Sequence, residues 1–189
     1  MKKLLIPFLF IVLLTNACKK DDTVSTPAET PLASFFADST IKFGAKTTNS
    51  LYYEYGQRFQ VSKVGKITRL GVRTPTPGSY RISIWEVATK TLISQKTVES
   101  TSGNLQAWGD ITPQPLEANK QYYITYLSNN WNYASPKTGS NFSYPIVKSN
   151  VVLLAYGYAL SVLGAAPKYP TTEPTNYIAG FVDFTFIPD

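Results

Sequence analysis

Trp131 and Tyr133 stand in the run Ser128-Asn129-Asn130-Trp131-Asn132-Tyr133, where amide side chains alternate with two aromatic rings. Flat rings stack on the C–H faces of sugars, whose slightly positive hydrogens meet the negative face of the π-system, and amides both donate to and accept from hydroxyls. The stretch lacks strand alternation, so it is expected to be a loop at one end of the fold. Asn129, Asn130, Trp131, Asn132 and Tyr133, with Tyr144 nearby, form the candidate glycan-binding set. The competing expectation is that Trp131 folds back to cap an open core.

Counting limits other chemistry. Histidine is absent and cysteine occurs once, which excludes His/Cys zinc sites, Cys-His nucleophiles, the Ser-His-Asp triad and a disulfide framework. Beyond Asp38 the carboxylates are Glu54, Glu86, Glu99, Asp110, Glu117, Glu173, Asp183 and Asp189. Glycoside hydrolysis needs two of them facing one bond, about 5–10 Å apart, and no spacing marks such a pair. Glu86, beside Trp85, and Asp183, in a late apolar run, are the least ordinary. Each is expected to be an inward carboxylate satisfied by backbone N–H groups or by an arginine such as Arg58 or Arg81. The chain therefore reads as non-catalytic. No loop gathers several oxygen ligands, so neither a metal nor a cofactor is expected.

The net charge of +6 falls to +4 when Lys2 and Lys3 are set aside with the leader described below. Arg58, Lys63, Lys66, Arg69, Arg73 and Arg81 are spread over three expected strands rather than gathered on one face. They read as solvated strand faces, and no nucleic-acid partner is expected.

Residues 1–17 have a basic start, an apolar run from Leu4 to Leu14 and Ala17 directly before Cys18. An apolar run containing Pro7 and this short does not reach the roughly 20 residues that a membrane-spanning helix needs, so a cleaved secretory leader is expected. Leu14-Thr15-Asn16-Ala17-Cys18 resembles a bacterial lipobox with Cys18 as the lipidated residue, and Lys19-Lys20-Asp21-Asp22 resembles the charged signal of Gram-negative surface lipoproteins. These imply an outer-membrane protein facing outward, held by its lipid anchor alone. Residues 18–34, rich in Ser, Thr, Pro and Ala, read as a tether, and residues 35–189 as a single domain.

The elements that must position the candidate site are strands. From about residue 35 the chain is a series of short Tyr-, Thr-, Val- and Ile-rich runs between Pro, Gly, Asn and Ser. Expected strands cover 57–61, 66–73, 79–87, 91–97, 121–127, 151–158 and 177–187. Thr68, Leu70 and Val72 are expected to share a core face. Breaks are expected at residues 74–78, at Ser102-Gly103-Asn104 and at Pro113-Gln114-Pro115. Residues 151–163 are apolar throughout, but Gly157 and the pair Tyr156 and Tyr158 favour a strand over a helix. The fold class is all-β: an antiparallel β-sandwich, jelly-roll-like, with little helix. Phe59, Leu70, Val72, Ile82, Ile84, Trp85, Ile124, Val182, Phe184 and Phe186 are expected between its sheets, and Trp108 in the core as well.

The segment from Tyr55-Gly56-Gln57-Arg58-Phe59, through Gly65-Lys66-Ile67-Thr68-Arg69-Leu70-Gly71-Val72, to Ile84-Trp85-Glu86 resembles the domain-of-unknown-function family numbered 4082. Gln106-Ala107-Trp108, Asn119-Lys120-Gln121-Tyr122-Tyr123-Ile124 and the closing run from Asn176 to Phe184 follow in the family's order, so the resemblance spans residues 43–187. It implies a jelly-roll-like sandwich, often attached to secreted or carbohydrate-active proteins, with no established catalytic residues. Two functional expectations result. One is a surface module that binds glycan; the other is a structural or adhesive protein contacting a protein partner or the cell envelope through exposed tyrosines and sheet edges.

Overall fold

The computed structural model describes residues 27–44 and 47–189, with twelve strands and one short helix, α1, Pro31–Phe36. The leader, Cys18 and most of the tether lie outside the described residues. Six strands, β5 (Thr91–Ser100), β4 (Gly78–Glu86), β7 (Gln121–Trp131), β2 (Thr47–Val61), β10 (Val151–Ser161) and β9 (Ile146–Lys148), form one sheet in that order. A second sheet is β12 (Phe181–Pro188), β3 (Gly65–Arg73) and β6 (Gln106–Leu116). A third, small sheet joins β1 (Ile41–Phe43), β8 (Tyr133–Pro136) and β11 (Ile178–Ala179). All the strand pairs are antiparallel. The fold is the expected antiparallel β-sandwich with little helix, the chain crossing repeatedly between its two main sheets.

Alternation places the core. Tyr80, Ile82 and Ile84 of β4, Tyr122, Ile124 and Tyr126 of β7, and Tyr55, Phe59 and Val61 of β2 are buried against Leu70 and Val72 of β3 and Val182, Phe184 and Phe186 of β12. Phe59 and Phe184 meet across the two sheets at 4.5 Å between ring centroids. In β3 the expected inward Thr68 is half-buried and Ile67 is buried instead, because the pairing with β6 slips between Ile67 and Arg69. Pro113 and Pro115 do not break the chain but lie within β6, an edge strand, where a missing N–H costs no ladder bond.

Two tryptophans depart from expectation. Trp85 is buried, but its neighbour Ile84 faces the core, so Trp85 points to the outer face of the large sheet, where Nε1 donates to Thr125 Oγ1 at 3.3 Å. Trp108 is half-buried, with the Arg69 guanidinium 5.2 Å from its ring centre. The basic residues divide similarly. Arg69 is an exposed strand-face residue, whereas Arg73 lies over the rings of Phe36, Phe43 and Phe181, and Arg81 is largely buried beside Glu54.

The folded part begins earlier than residue 35. Glu29 exchanges two backbone hydrogen bonds with Phe186, and Leu32 is buried. Pro31 starts α1, where its missing N–H is harmless, and the N–H groups of Leu32 and Ala33 donate to the two carboxylate oxygens of Asp183. Asp183 is thus the inward carboxylate satisfied by backbone that the sequence suggested. Burial pushes it up to about 7, against the opposing pull of those N–H groups and of Arg73.

Candidate functional site

The inner face of the large sheet outruns its cover. At the end where β2 enters and β10 leaves, an open cleft of about 170 Å³ is lined by Asn49, Tyr53, Tyr55, Trp131, Tyr158, Tyr177 and Ala179. Strand geometry brings these residues together. Tyr53 and Tyr55 are two apart on β2 and so share a face, and the register of β10 sets Tyr158 directly opposite Tyr55. Trp131, the last residue of β7, lies 4.9 Å from Tyr55 and 6.3 Å from Tyr53 between ring centroids. Tyr53 and Tyr158 meet edge to face at 5.9 Å. Ala179 of β11 and Tyr55 are buried and form the floor, whereas Tyr53, Trp131, Tyr158 and Tyr177 are half-buried walls and the half-buried Asn49 stands at the rim. None of the lining residues is Lys, Arg, Asp or Glu, and burial pushes the Tyr177 phenol up to about 12 and raises that of Tyr55.

Among the six expected ligand residues, the cleft takes Trp131 alone. Residues 128–131 are strand, not loop. Asn129 and Asn130 line a different groove, of about 440 Å³, with Thr76, Tyr80 and Arg81. There Asn130 Oδ1 accepts from Thr76 Oγ1 at 3.1 Å, and its Nδ2 donates to Asn129 Oδ1 at 3.2 Å. The Asn132 amide donates to Asn104 Oδ1 at 3.0 Å. Tyr133 opens β8 and lays its ring on Gly44, leaving no room there for a Cβ. Tyr144 is half-buried against the core, and burial raises its phenol. The expected constellation is therefore dispersed over several surfaces. Alternate residues of a strand face opposite sides, so consecutive residues in one run cannot all line one site. Trp131 itself combines the two competing readings, since it packs on Tyr55 and also walls an open cleft.

Sequence reasoning missed the other residues of the cleft, although a signal for three of them was present. Tyr53 with Tyr55, and Tyr156 with Tyr158, are i, i+2 pairs that must share a face. Whether that face is covered depends on where the opposing sheet ends, which local sequence does not encode.

A second cluster occupies the outer face of the same sheet, beside residues 162–173. Glu54 is fully buried, pairs with Arg81 and accepts from Thr125 Oγ1 at 3.3 Å, and burial raises its carboxyl. Arg81 also donates to the Ala165 carbonyl. Tyr169 sits edge-on to Trp85 and Tyr123, Glu173 pairs with Arg58 at 3.0 Å, and Tyr158 exchanges backbone bonds with Thr172. Glu86 is half-buried and held by Lys120 at 3.2 Å. Among the described residues no group of three His, Cys, Asp or Glu side chains could hold a metal ion, and no helix is long and apolar enough to cross a membrane. No family model matches the chain, and no curated protein matches it.

Proposed function

We propose that this protein is a non-catalytic cell-surface module that binds carbohydrate in the aromatic cleft. The observation that carries the reading is the concave set of Tyr53, Tyr158, Tyr177 and Trp131 above a floor of Tyr55 and Ala179, with the Asn49 amide at the rim. Half-buried rings held against one another offer stacking faces that are already ordered, so a ligand does not have to immobilise them. Stacking adds about 0.5–1.5 kcal/mol per ring beyond burial, which predicts weak affinity per site. Many lipid-anchored copies on one surface would convert such contacts into firm attachment, which fits the leader and Cys18 of the sequence.

A glycan array probed with the full chain tests the proposal. Binding to at least one glycan, lost in Trp131→Ala while the variant retains its β-sheet circular dichroism spectrum, is the expected result. Binding that survives in Trp131→Ala would place the ligand elsewhere, and failure to bind any glycan would reject the reading.

A further inference from the structure

Building on the carbohydrate reading, we infer that the cleft accepts one uncharged sugar ring at the end of a chain, and rejects uronic, sialic and sulfated residues. Three observations carry this. The cleft is small: its volume of about 170 Å³ falls below the roughly 300–1,000 Å³ that holds a drug-sized ligand, so a second or third sugar must remain outside. It is also closed inward, because Tyr55 and Ala179 on the floor are 3% and 1% exposed. With room for a single ring, the cleft takes a chain by its tip. Finally, none of the residues lining the cleft among the described ones is Lys, Arg, Asp or Glu.

The chemistry of the wall turns that composition into selectivity. A carboxylate or sulfate brought against five aromatic rings would lose water without gaining a cation. Behind the floor the neighbouring polar groups are likewise uncharged: Tyr126 lies 6.0 Å from Tyr55, and Tyr156 lies 5.6 Å from Tyr177 between ring centroids. An uncharged hexose has what the cleft can use, namely C–H faces for the rings and hydroxyls for phenol oxygens and the Asn49 amide.

The test titrates the full chain, by the NMR line of the Trp131 indole N–H, with methyl glycosides of glucose, galactose and mannose. Their uronic acid counterparts and the matching di- and trisaccharides complete the panel. The best hexoside should bind, its uronide should be at least about tenfold weaker, and lengthening the chain should change affinity by less than about threefold. Tyr158→Ala should abolish binding, with Tyr158→Leu as the variant that keeps the wall apolar if the alanine form does not fold. Tyr52→Ala, on the opposite groove, should bind as the native chain does. Equal or tighter binding of the uronide overturns the charge selectivity. A gain of tenfold or more per added sugar would show an extended site and overturn the end-on mode. If the panel fails to bind while a glycan on the array does, this inference falls and the carbohydrate reading stands; if nothing binds in either assay, both fall.

Discussion

The open cleft and the covered outer face both draw aromatic side chains from the large sheet, and the outer face adds the ion pairs of Glu54 with Arg81 and of Glu173 with Arg58 that the cleft lacks. On β2, Tyr53 and Tyr55 face the cleft while Glu54 between them faces the outer cluster. On β7, Trp131 serves one and Tyr123 the other; on β10, Tyr158 lines the cleft while Gly157 leaves room for the Tyr123 hydroxyl. The difference lies in what covers them. Residues 162–173 bring a carbonyl to Arg81, a ring to Trp85 and a carboxylate to Arg58, so the charged groups of the outer face are paired within the chain, while the buried Tyr123 hydroxyl and Ser83 Oγ find no partner. No such segment closes the cleft among the described residues, and its rings stay half-exposed. Tyrosine and tryptophan content alone is therefore no measure of binding capacity: a similar cluster is structural when a strap covers it and available to a ligand when the opposing sheet stops short.

Breaking the covered side should cost most. Glu54→Ala leaves Arg81 buried without its carboxylate, and urea unfolding is expected to show a loss of about 3–5 kcal/mol. Sugar binding by the fraction that remains folded should be unchanged, since Glu54 faces away from the cleft. A loss below about 1 kcal/mol would mean that the outer cluster is not a closed structural unit.

Asp183 separates the scaffold from both clusters. Its folded value, about 7, is raised above the ordinary carboxylate value, so the uncharged form favours the fold. Its contribution is complete below about pH 4 and is lost as the pH rises through about 7. Stability should therefore decline across that window, while binding at the carboxylate-free cleft stays level. Asp183→Asn should flatten the decline. It should also cost about 1–3 kcal/mol at low pH, because the amide nitrogen cannot accept from a backbone N–H of α1.

Trp131→Ala should cost about 1–2 kcal/mol, less than the roughly 3–5 kcal/mol of a fully buried aromatic, because its ring packs on Tyr55 from one side while the other faces the cleft. The same substitution should remove binding altogether, and a thermal melt run beside a titration checks both. Smallest of all, Glu173→Gln on the strap should change stability by no more than about 1 kcal/mol, since the pair with Arg58 is partly exposed. A larger loss would show that the strap is held by this single ion pair and not by the buried contacts of Arg81, Tyr169 and Thr172.

The β-sandwich was legible because hydrophobic alternation is local. Ile82 with Ile84, Leu70 with Val72, and Phe184 with Phe186 carry it in two or three consecutive turns of the pleat, and all six are buried. Elements that depend on partners were less legible. β6 carries two prolines and reads as a breaker until its position at a sheet edge is known, and the boundary at residue 35 missed Glu29 and Leu32 because the strand that pairs with one and the carboxylate that receives the other's N–H are about 150 residues away. The candidate site shows the same limit, since a composition-rich run grouped Trp131 with neighbours that the pleat sends elsewhere.

By itself, then, the sequence determined the class of fold and most of the core, because these follow from periodicity along the chain. Only the tertiary structure decided that Tyr53, Tyr55, Tyr158, Tyr177 and Trp131 share one cleft and that Glu54, Arg81, Trp85 and Tyr123 share a closed cluster. The physical reason is that each set depends on strand register and on the extent of a covering layer. Both are fixed by contacts between residues far apart in the chain, and neither leaves a periodic trace in any one segment.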